Sequence, residues 1–408
     1  MKKIKIINDP VGGFVRIWDD LFLQIIDHPY FQRLRRIRQL GMTDLVFPGA
    51  VHTRFQHALG AFQLMNDAIE TLRVKGVEIS EEEHRAVCIA ILLHDIGHGP
   101  FSHALEQEIV ENVDHEQLSL IFMNELNSQF DGKLTFALDI YQDNYPRRFL
   151  HQLISSQLDL DRMDYLRRDS FYTGVREGLS GSERLISMMN VKNDKLVIEQ
   201  KGIYSIENFL LARRFMYWQV YLHKTVINAE MILVHILGRA KELARSKRLI
   251  FCSPALHHFL YTDVEQEHFK DSKVLDKFAA LDDNDILQAI KVWTLEKDFV
   301  LAALSSFLTE RKLLKIEFSN QPFDLSDIKI KMDKTSSSYR INTSLTHYFV
   351  YSDSVSNSLY DAHGEKIQVL LKNDEVVDLE NASLDFNSAL LSDPVQKFFL
   401  CYPSEILN

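Results

Sequence analysis

The apolar run CIAILL ends at His94 and Asp95, and His98 and His103 follow within nine residues. Imidazoles and carboxylates at this density bind a divalent cation or move protons. A carboxylate at the end of an otherwise apolar helix is costly to bury unless its charge is compensated, and a cation compensates it. The end of a helix also carries partial negative charge, which favours a cation there. The competing account is local, with Asp95 accepting from amides of the turn that follows.

Other candidates are scattered along the chain. Seven of the sixteen histidines (His52, His57, His84, His94, His98, His103 and His115) fall within 64 residues. His84, in a charged helical turn, and His52 read as structural. Arg54 precedes His57 by three residues, which puts both on one helix face, one turn apart. In LDLDRMDYLRRDS, helical spacing aligns Asp161, Asp164, Tyr165 and Arg168, as a solvated charged stripe or as one wall of a site. In RRFMYWQVYLHKT, Arg213 and Lys224 are eleven residues apart and nearly aligned, with Tyr221 on the flank. The plainer account of that stretch is an aromatic core with snorkelling cations.

Helices must carry these groups. From Thr53 to Leu72, His57, Ala61, Leu64, Ala68 and Leu72 share one stripe. Ser80 to Glu83 has capping-box form, so a helix begins near Glu81 and runs to His94, with Gly97 as its terminator. Helical patterns also cover 31–40, 115–127 and 147–169. In the first of these, Arg33, Arg35, Arg36 and Arg38 ring the outer face, solvated or in contact with phosphate. A looser Gly- and Ser-rich stretch covers 174–182. A small hairpin at 194–209 precedes a long helix from about Ile206 to Lys247, capped by Ser205. Residues 4–26 read as a short hairpin or irregular lead-in. Beyond residue 250, two helical segments reach about Thr309, and short strands follow in LLKIEF, IKIKM, HYFVY, KIQVLL and KFFLCY, separated by turns such as NDE and DAHGE. The fold class is therefore mainly α, with a helical domain over residues 1–250 and a smaller α+β domain over residues 251–408.

Composition sets outer limits. Hydrophobic residues at 46% and charged residues at 25% of 408 leave ample chain for a globular core. Three cysteines, Cys88, Cys252 and Cys401, are too few for a disulfide framework or thiolate cage, so a metal would sit on imidazole and carboxylate. That usage, with no signal peptide or apolar run of membrane-spanning length, points to the cytoplasm and to no membrane partner. A net charge of −11 gives no indication of nucleic-acid binding.

The words RFQHALG, LLHDIGHGPFSHALE, DHEQLS and LDLDRMDYLRRDS, in this order and spacing, resemble the HD superfamily of metal-dependent phosphohydrolases. Within it they are most similar to the deoxynucleoside triphosphate triphosphohydrolases, the dGTPase group that includes the animal enzyme with a sterile-alpha-motif domain. The resemblance covers about residues 1–240. It implies an HD-domain helical fold with His57, His94, Asp95 and Asp161 as ligands of one divalent metal ion: manganese, iron, nickel, zinc or magnesium. It implies that His98 and His103 face the phosphates, with His103 a proton donor to the leaving oxygen, and that His115 and Glu116 support them. Arg54, Arg162, Arg213 and Lys224 would hold phosphates, Tyr165 would lie beneath the sugar, Asp169 would meet its 3′-hydroxyl, and Tyr221 would bind the base and sugar end. A homo-oligomer, dimer or tetramer, is expected, with the C-terminal domain regulatory or part of its interface. Activation by a nucleotide stays open.

The leading expectation is hydrolysis of deoxynucleoside triphosphates to deoxynucleoside and inorganic triphosphate. An HD-type phosphodiesterase or nucleoside-monophosphate phosphohydrolase is the enzymatic alternative, and a second metal on the extra histidines would accompany it. A nucleotide- or partner-binding regulatory protein with a structural metal is the alternative of another class.

Overall fold

The N-terminal strands β1 (Lys5–Asp9) and β2 (Gly13–Ile17) form an antiparallel hairpin. Asp9 shapes its turn by accepting the Val11 amide at 3.2 Å, and Gly13 has φ +80°, a conformation that costs glycine nothing. The structure is a computed structural model that describes residues 4–178, 181–357, 365–383 and 395–407.

Helices α1 (Asp20–Asp27) and α2 (Pro29–Gln32) follow. The helix expected over 31–40 does not persist: a 3₁₀ turn covers Arg33–Arg36 and Ile37 is extended. The cause is Arg33, which is wholly buried and donates to the carbonyls of Ile96 at 2.9 Å and His98 at 2.7 Å. Nor is this stretch a free basic face, because Arg36 pairs with Asp282 and Arg38 with Asp44.

Helix α3 (Arg54–Val74) packs against α4 (Glu81–Leu93), which the Ser80–Glu83 capping box starts as expected. The carbonyls beyond the end of α4 are the ones that Arg33 satisfies. Gly97 has a different duty from the one expected. It is not among the glycines with positive φ, and a Cβ there would fall 2.2 Å from Ser119 N and 2.3 Å from His115 O. It lets the backbone of α6 approach the HD turn. After the short α5 (Glu106–Ile109), Asp114 caps α6 (His115–Gln129) by accepting the Gln117 amide at 2.7 Å.

The pattern over 147–169 resolves into α8 (Phe149–Gln152), after α7 (Thr135–Tyr141), and a separate α9 (Leu160–Thr173). Asp159 imposes the break, accepting the Arg162 amide at 2.7 Å as the cap of α9. Next come α10 (Ser182–Met188) and the hairpin of β3 (Met189–Lys192) and β4 (Lys195–Glu199), turned by Asn193 and Asp194 at φ +53° and +55°. The long helix expected over 206–247 is two, α11 (Ile203–Met216) and α12 (Lys224–Arg245), bent by 56°. Ser205 lies inside α11 and caps nothing. Between the two, Tyr217–Tyr221 form a π turn, closed by Leu222 N donating to Tyr217 O at 2.7 Å, and His223 caps α12.

Four helices, not two, fill the next stretch: α13 (Pro254–Tyr261), α14 (Ser272–Ala280), α15 (Asp283–Trp293) and α16 (Phe299–Thr309). Strand β5 (Lys315–Ser319) forms, but IKIKM lies within helix α17 (Leu325–Tyr339). Its Ile328 and Met332 pack inward four residues apart, and Asp324 caps its start by accepting the Ser326 amide at 2.7 Å. Strands β6 (Tyr351–Asn357), β7 (Gln368–Leu370) and β8 (Val376–Asp378), short helix α18 (Leu379–Ala382) and strand β9 (Val395–Tyr402) complete the chain. All of the DAHGE turn but Glu365 lies outside the described residues.

The architecture is mainly α with small sheets, as expected. One sheet orders its strands β5-β9-β6, the other β3-β4-β7-β8. In the second, β4 and β7 pair in parallel, so hydrogen bonds cross the boundary expected near residue 250. A continuous apolar core also runs from Val15 to Ile406. No single helix among the described residues is long and apolar enough to cross a membrane.

Because the obstruction at Gly97 is backbone, Gly97→Ala should destabilise the protein by at least about 2 kcal/mol, the scale of overpacking a tight core. Chemical denaturation of the variant and the parent protein checks this.

Candidate active site

Helices α3, α4 and α9 bring the expected metal ligands together. His57 Nε2 lies 3.0 Å from Asp161 Oδ1 and 3.3 Å from His94 Nε2, and His94 Nε2 lies 3.4 Å from the same Asp161 oxygen. Asp95 joins them, with Oδ2 at 3.6 Å from His57 Nε2 and Oδ1 at 3.5 Å from His94 Nε2. The two imidazole nitrogens and an Asp161 oxygen thus group within reach of one ion, with Asp95 beside them and paired to Arg54, a donor set that suits a divalent first-row cation or magnesium. Charges show the same fit. Burial alone would push the His57 imidazole down, but Asp161 and Asp164 outweigh it and raise it to about 10. Against the same burial, His57 and His94 hold the Asp161 carboxyl far below its usual range. A bound cation would replace these mutually neutralising protons.

Each histidine is oriented through its other nitrogen. His94 Nδ1 lies 2.7 Å from Ile91 O within its own helix. His57 Nδ1 lies 2.9 Å from Asp164 Oδ2, and both Asp164 oxygens accept from Arg168, Nε at 2.8 Å and Nη2 at 3.0 Å. Arg168 in turn donates to Asp9 of the hairpin at 2.7 and 3.1 Å. Asp164 and Arg168 are wholly buried, so the aligned stripe of α9 is no solvated face. Gly60 of α3 admits this chain of charges, since a Cβ there would fall 2.1 Å from both Asp164 Oδ1 and Arg168 Nη2.

Beside these four residues stand three more histidines. The His98 and His115 rings stack at 4.0 Å and 15°, and His103 meets both edge-on at 4.9 and 5.0 Å. Burial and the Arg54 charge lower the pKa of His98 and keep its ring neutral. Glu106 lies 2.7 Å from His115 Nδ1 and 3.4 Å from His103 Nδ1, bracing both rings. Nothing in the sequence pattern distinguished this glutamate, nine residues before His115, from the other acids around it. Its expected neighbour Glu116 is exposed in the first turn of α6 and is not among the cavity-lining residues. Arg54 is buried, paired with Asp95 and 2.8 Å from Ser102 Oγ.

These groups open onto a cavity of about 460 Å³, lined also by Asp161, Tyr165, Asp169, Tyr217 and Tyr221. Asp161, Tyr165 and Asp169 occupy successive turns of α9, so they lay out about 12 Å of wall at 1.5 Å per residue. The π turn supplies Tyr217 and Tyr221, and the Tyr221 hydroxyl donates to Asp169 at 2.7 Å. Three expected phosphate contacts stand outside the lining of this cavity. Arg162 turns back to Asp159 and the Ser156 carbonyl, Arg213 lies over the Tyr217 ring at 5.7 Å, and Lys224 is exposed at the start of α12. None of the three is among the residues lining the cavity. Glu230 of α12 does line it, with its carboxyl raised to about 7 by burial, and sequence pattern did not single it out. A larger cavity of about 580 Å³ beneath the N-terminal hairpin has no grouped metal ligands among the described residues.

Residues 54–169 match the model of the HD domain, and residues 181–246 that of the HD-associated region. The chain is 51% identical to a phosphohydrolase of Bacteroides thetaiotaomicron known from a crystal structure, with a TM-score of 0.95 over 98% of this chain and all of that one. It is 33% identical to the uncharacterized protein YwfO of Bacillus subtilis, over 93% of this chain and 88% of that protein. It is also 31% identical to the deoxynucleoside triphosphate triphosphohydrolase SAMHD1 homolog of Dictyostelium discoideum, over 67% of this chain but only 58% of that one.

Asp164 touches His57 but is not among the four expected ligands. Asp164→Asn should therefore weaken metal binding by about 10–100-fold while the four donors stay in place. Titration calorimetry with manganese on the metal-free variant measures the loss.

Proposed function

We propose that this chain, which belongs to the HD-domain phosphohydrolase family, hydrolyses deoxynucleoside triphosphates to deoxynucleoside and inorganic triphosphate. The observation that carries the reading is the length of α9 facing the cavity: a metal ligand at Asp161, an aromatic ring one turn on at Tyr165, and a carboxylate another turn on at Asp169. That order suits phosphate, sugar and sugar hydroxyl. The Dictyostelium relative, by its name a deoxynucleoside triphosphate triphosphohydrolase, supports the same substrate class.

His57, His94, Asp95 and Asp161 would hold one divalent ion, which when bound polarises a phosphoryl oxygen and acidifies a water molecule. The chain's own groups do the rest. Arg54, fixed by Asp95 and Ser102, presents its remaining donors to phosphate oxygens. His98 stays neutral and offers a hydrogen bond without adding charge. His103, with its side chain 67% exposed at the cavity and Nδ1 3.4 Å from Glu106, is the group placed to deliver a proton to the departing 5′-oxygen. Tyr165 remains a neutral phenol, its pKa raised first by burial, and its ring beneath C2′ would crowd a ribose 2′-hydroxyl.

One observation favours the smaller-substrate alternative: Arg162, Arg213 and Lys224 are not among the residues lining the cavity, and a single phosphate needs fewer cations. Products separate the two readings. With manganese and each dNTP, phosphorus NMR should show inorganic triphosphate as the released product, and orthophosphate or pyrophosphate alone would contradict the reading. Tyr165→Ala should narrow the dNTP-to-NTP ratio of kcat/KM by about tenfold, within the range steric discrimination provides. An unchanged ratio would remove Tyr165 from sugar selection.

A further inference from the structure

We infer that His52 is a positioning residue that holds the Asp169 carboxylate in place to receive a sugar hydroxyl. The inference rests on the deoxynucleotide reading above and adds to it a residue that the sequence pattern marked as merely structural.

His52 lies just before α3 and is 1% exposed. Its Nε2 is 2.7 Å from Asp169 Oδ1, and the Tyr221 hydroxyl donates to the other Asp169 oxygen, also at 2.7 Å. A carboxylate is acceptor-only and has about four lone-pair sites, so each oxygen keeps capacity for a ligand donor. Held from both sides, the carboxylate has no freedom to rotate. Asp169 lines the cavity while His52 does not, so His52 acts through Asp169 and not by touching ligand.

Three features fix this residue and the direction of its ring. The ring stacks on Tyr172 at 4.5 Å and 14°, and Tyr172 is anchored by Gln56, whose Nε2 donates to its hydroxyl at 2.9 Å. The imidazole is thereby held for one hydrogen bond. Its Nδ1 is buried with no hydrogen-bond partner among the described residues, as are ring nitrogens of His84 and His98, so the polar contact of the His52 ring runs through Nε2, which carries the proton that Asp169 accepts. Lastly, the His52 carbonyl accepts the Gln39 amide at 3.0 Å, and Gln39 lines the cavity. One residue therefore braces two walls.

The test compares a dNTP with its 2′,3′-dideoxy counterpart, which lacks the hydroxyl that Asp169 would accept. His52→Phe keeps an aromatic ring for Tyr172 and removes the donor. It should lower kcat/KM for the dNTP by about tenfold, the scale of a hydrogen bond to a charged group, and leave the dideoxy substrate unchanged. His52→Gln, which can donate again, should recover part of the loss. Equal losses on both substrates would show general damage and overturn the inference, as would no loss on either. If the unaltered protein hydrolyses dNTPs without distinguishing dideoxy substrates, this inference alone falls. If it hydrolyses no dNTP, the substrate reading falls and takes this inference with it.

Discussion

Fully buried, His57 commits each ring nitrogen to a different carboxylate: Nε2 to Asp161 at 3.0 Å, Nδ1 to Asp164 at 2.9 Å. Much else follows from keeping that arrangement intact. Without Arg168, Asp164 would be left with His57 alone to compensate it, and Arg168 would be an uncompensated buried charge without Asp164 and Asp9. Breaking one partner of such a set costs about 3–5 kcal/mol, because the remaining charge stays buried and unpaired. The N-terminal hairpin is thus tied electrostatically, through Asp9, Arg168 and Asp164, to His57. Gly60 belongs to the same constraint, since α3 and α9 must come close enough to leave no room for a side chain.

The cavity lies where regular structure stops. Helix α4 runs apolar and buried to Leu93 and ends on His94 and Asp95, while Arg33 satisfies carbonyls of the turn beyond. The turn can then carry His98 and His103 outward at no loss of backbone hydrogen bonding. Opposite, the π turn breaks what would have been one long helix and brings two tyrosines to the cavity. Such turns sacrifice helix regularity and are frequent at functional sites.

Legibility followed the range of the physics involved. Helices α3 and α4 and the cap at Ser80 were readable because periodicity and capping act over a few residues. The 31–40 stretch misled because a buried arginine in a helical pattern looks the same as a solvated one; only the carbonyls at Ile96 and His98 reveal its direction. IKIKM misled because five alternating residues fit strand and helix alike, and the inward faces of Ile328 and Met332 decide for helix. In the site, the four expected ligands were named from motifs, whereas Asp164, Glu106 and His52 owe their places to partners 9 to 117 residues distant.

The sequence by itself determined the helical class and the HD family, because those properties live in local pattern and in residue chemistry that no packing alters. Tertiary structure alone decided which charges are buried in pairs, which arginines reach the cavity, and which histidines lie against which carboxylates. The reason is geometric. A side chain's role depends on what faces it across several ångströms of space, and helices as far apart in sequence as α3 and α9 meet only when the core between them has closed.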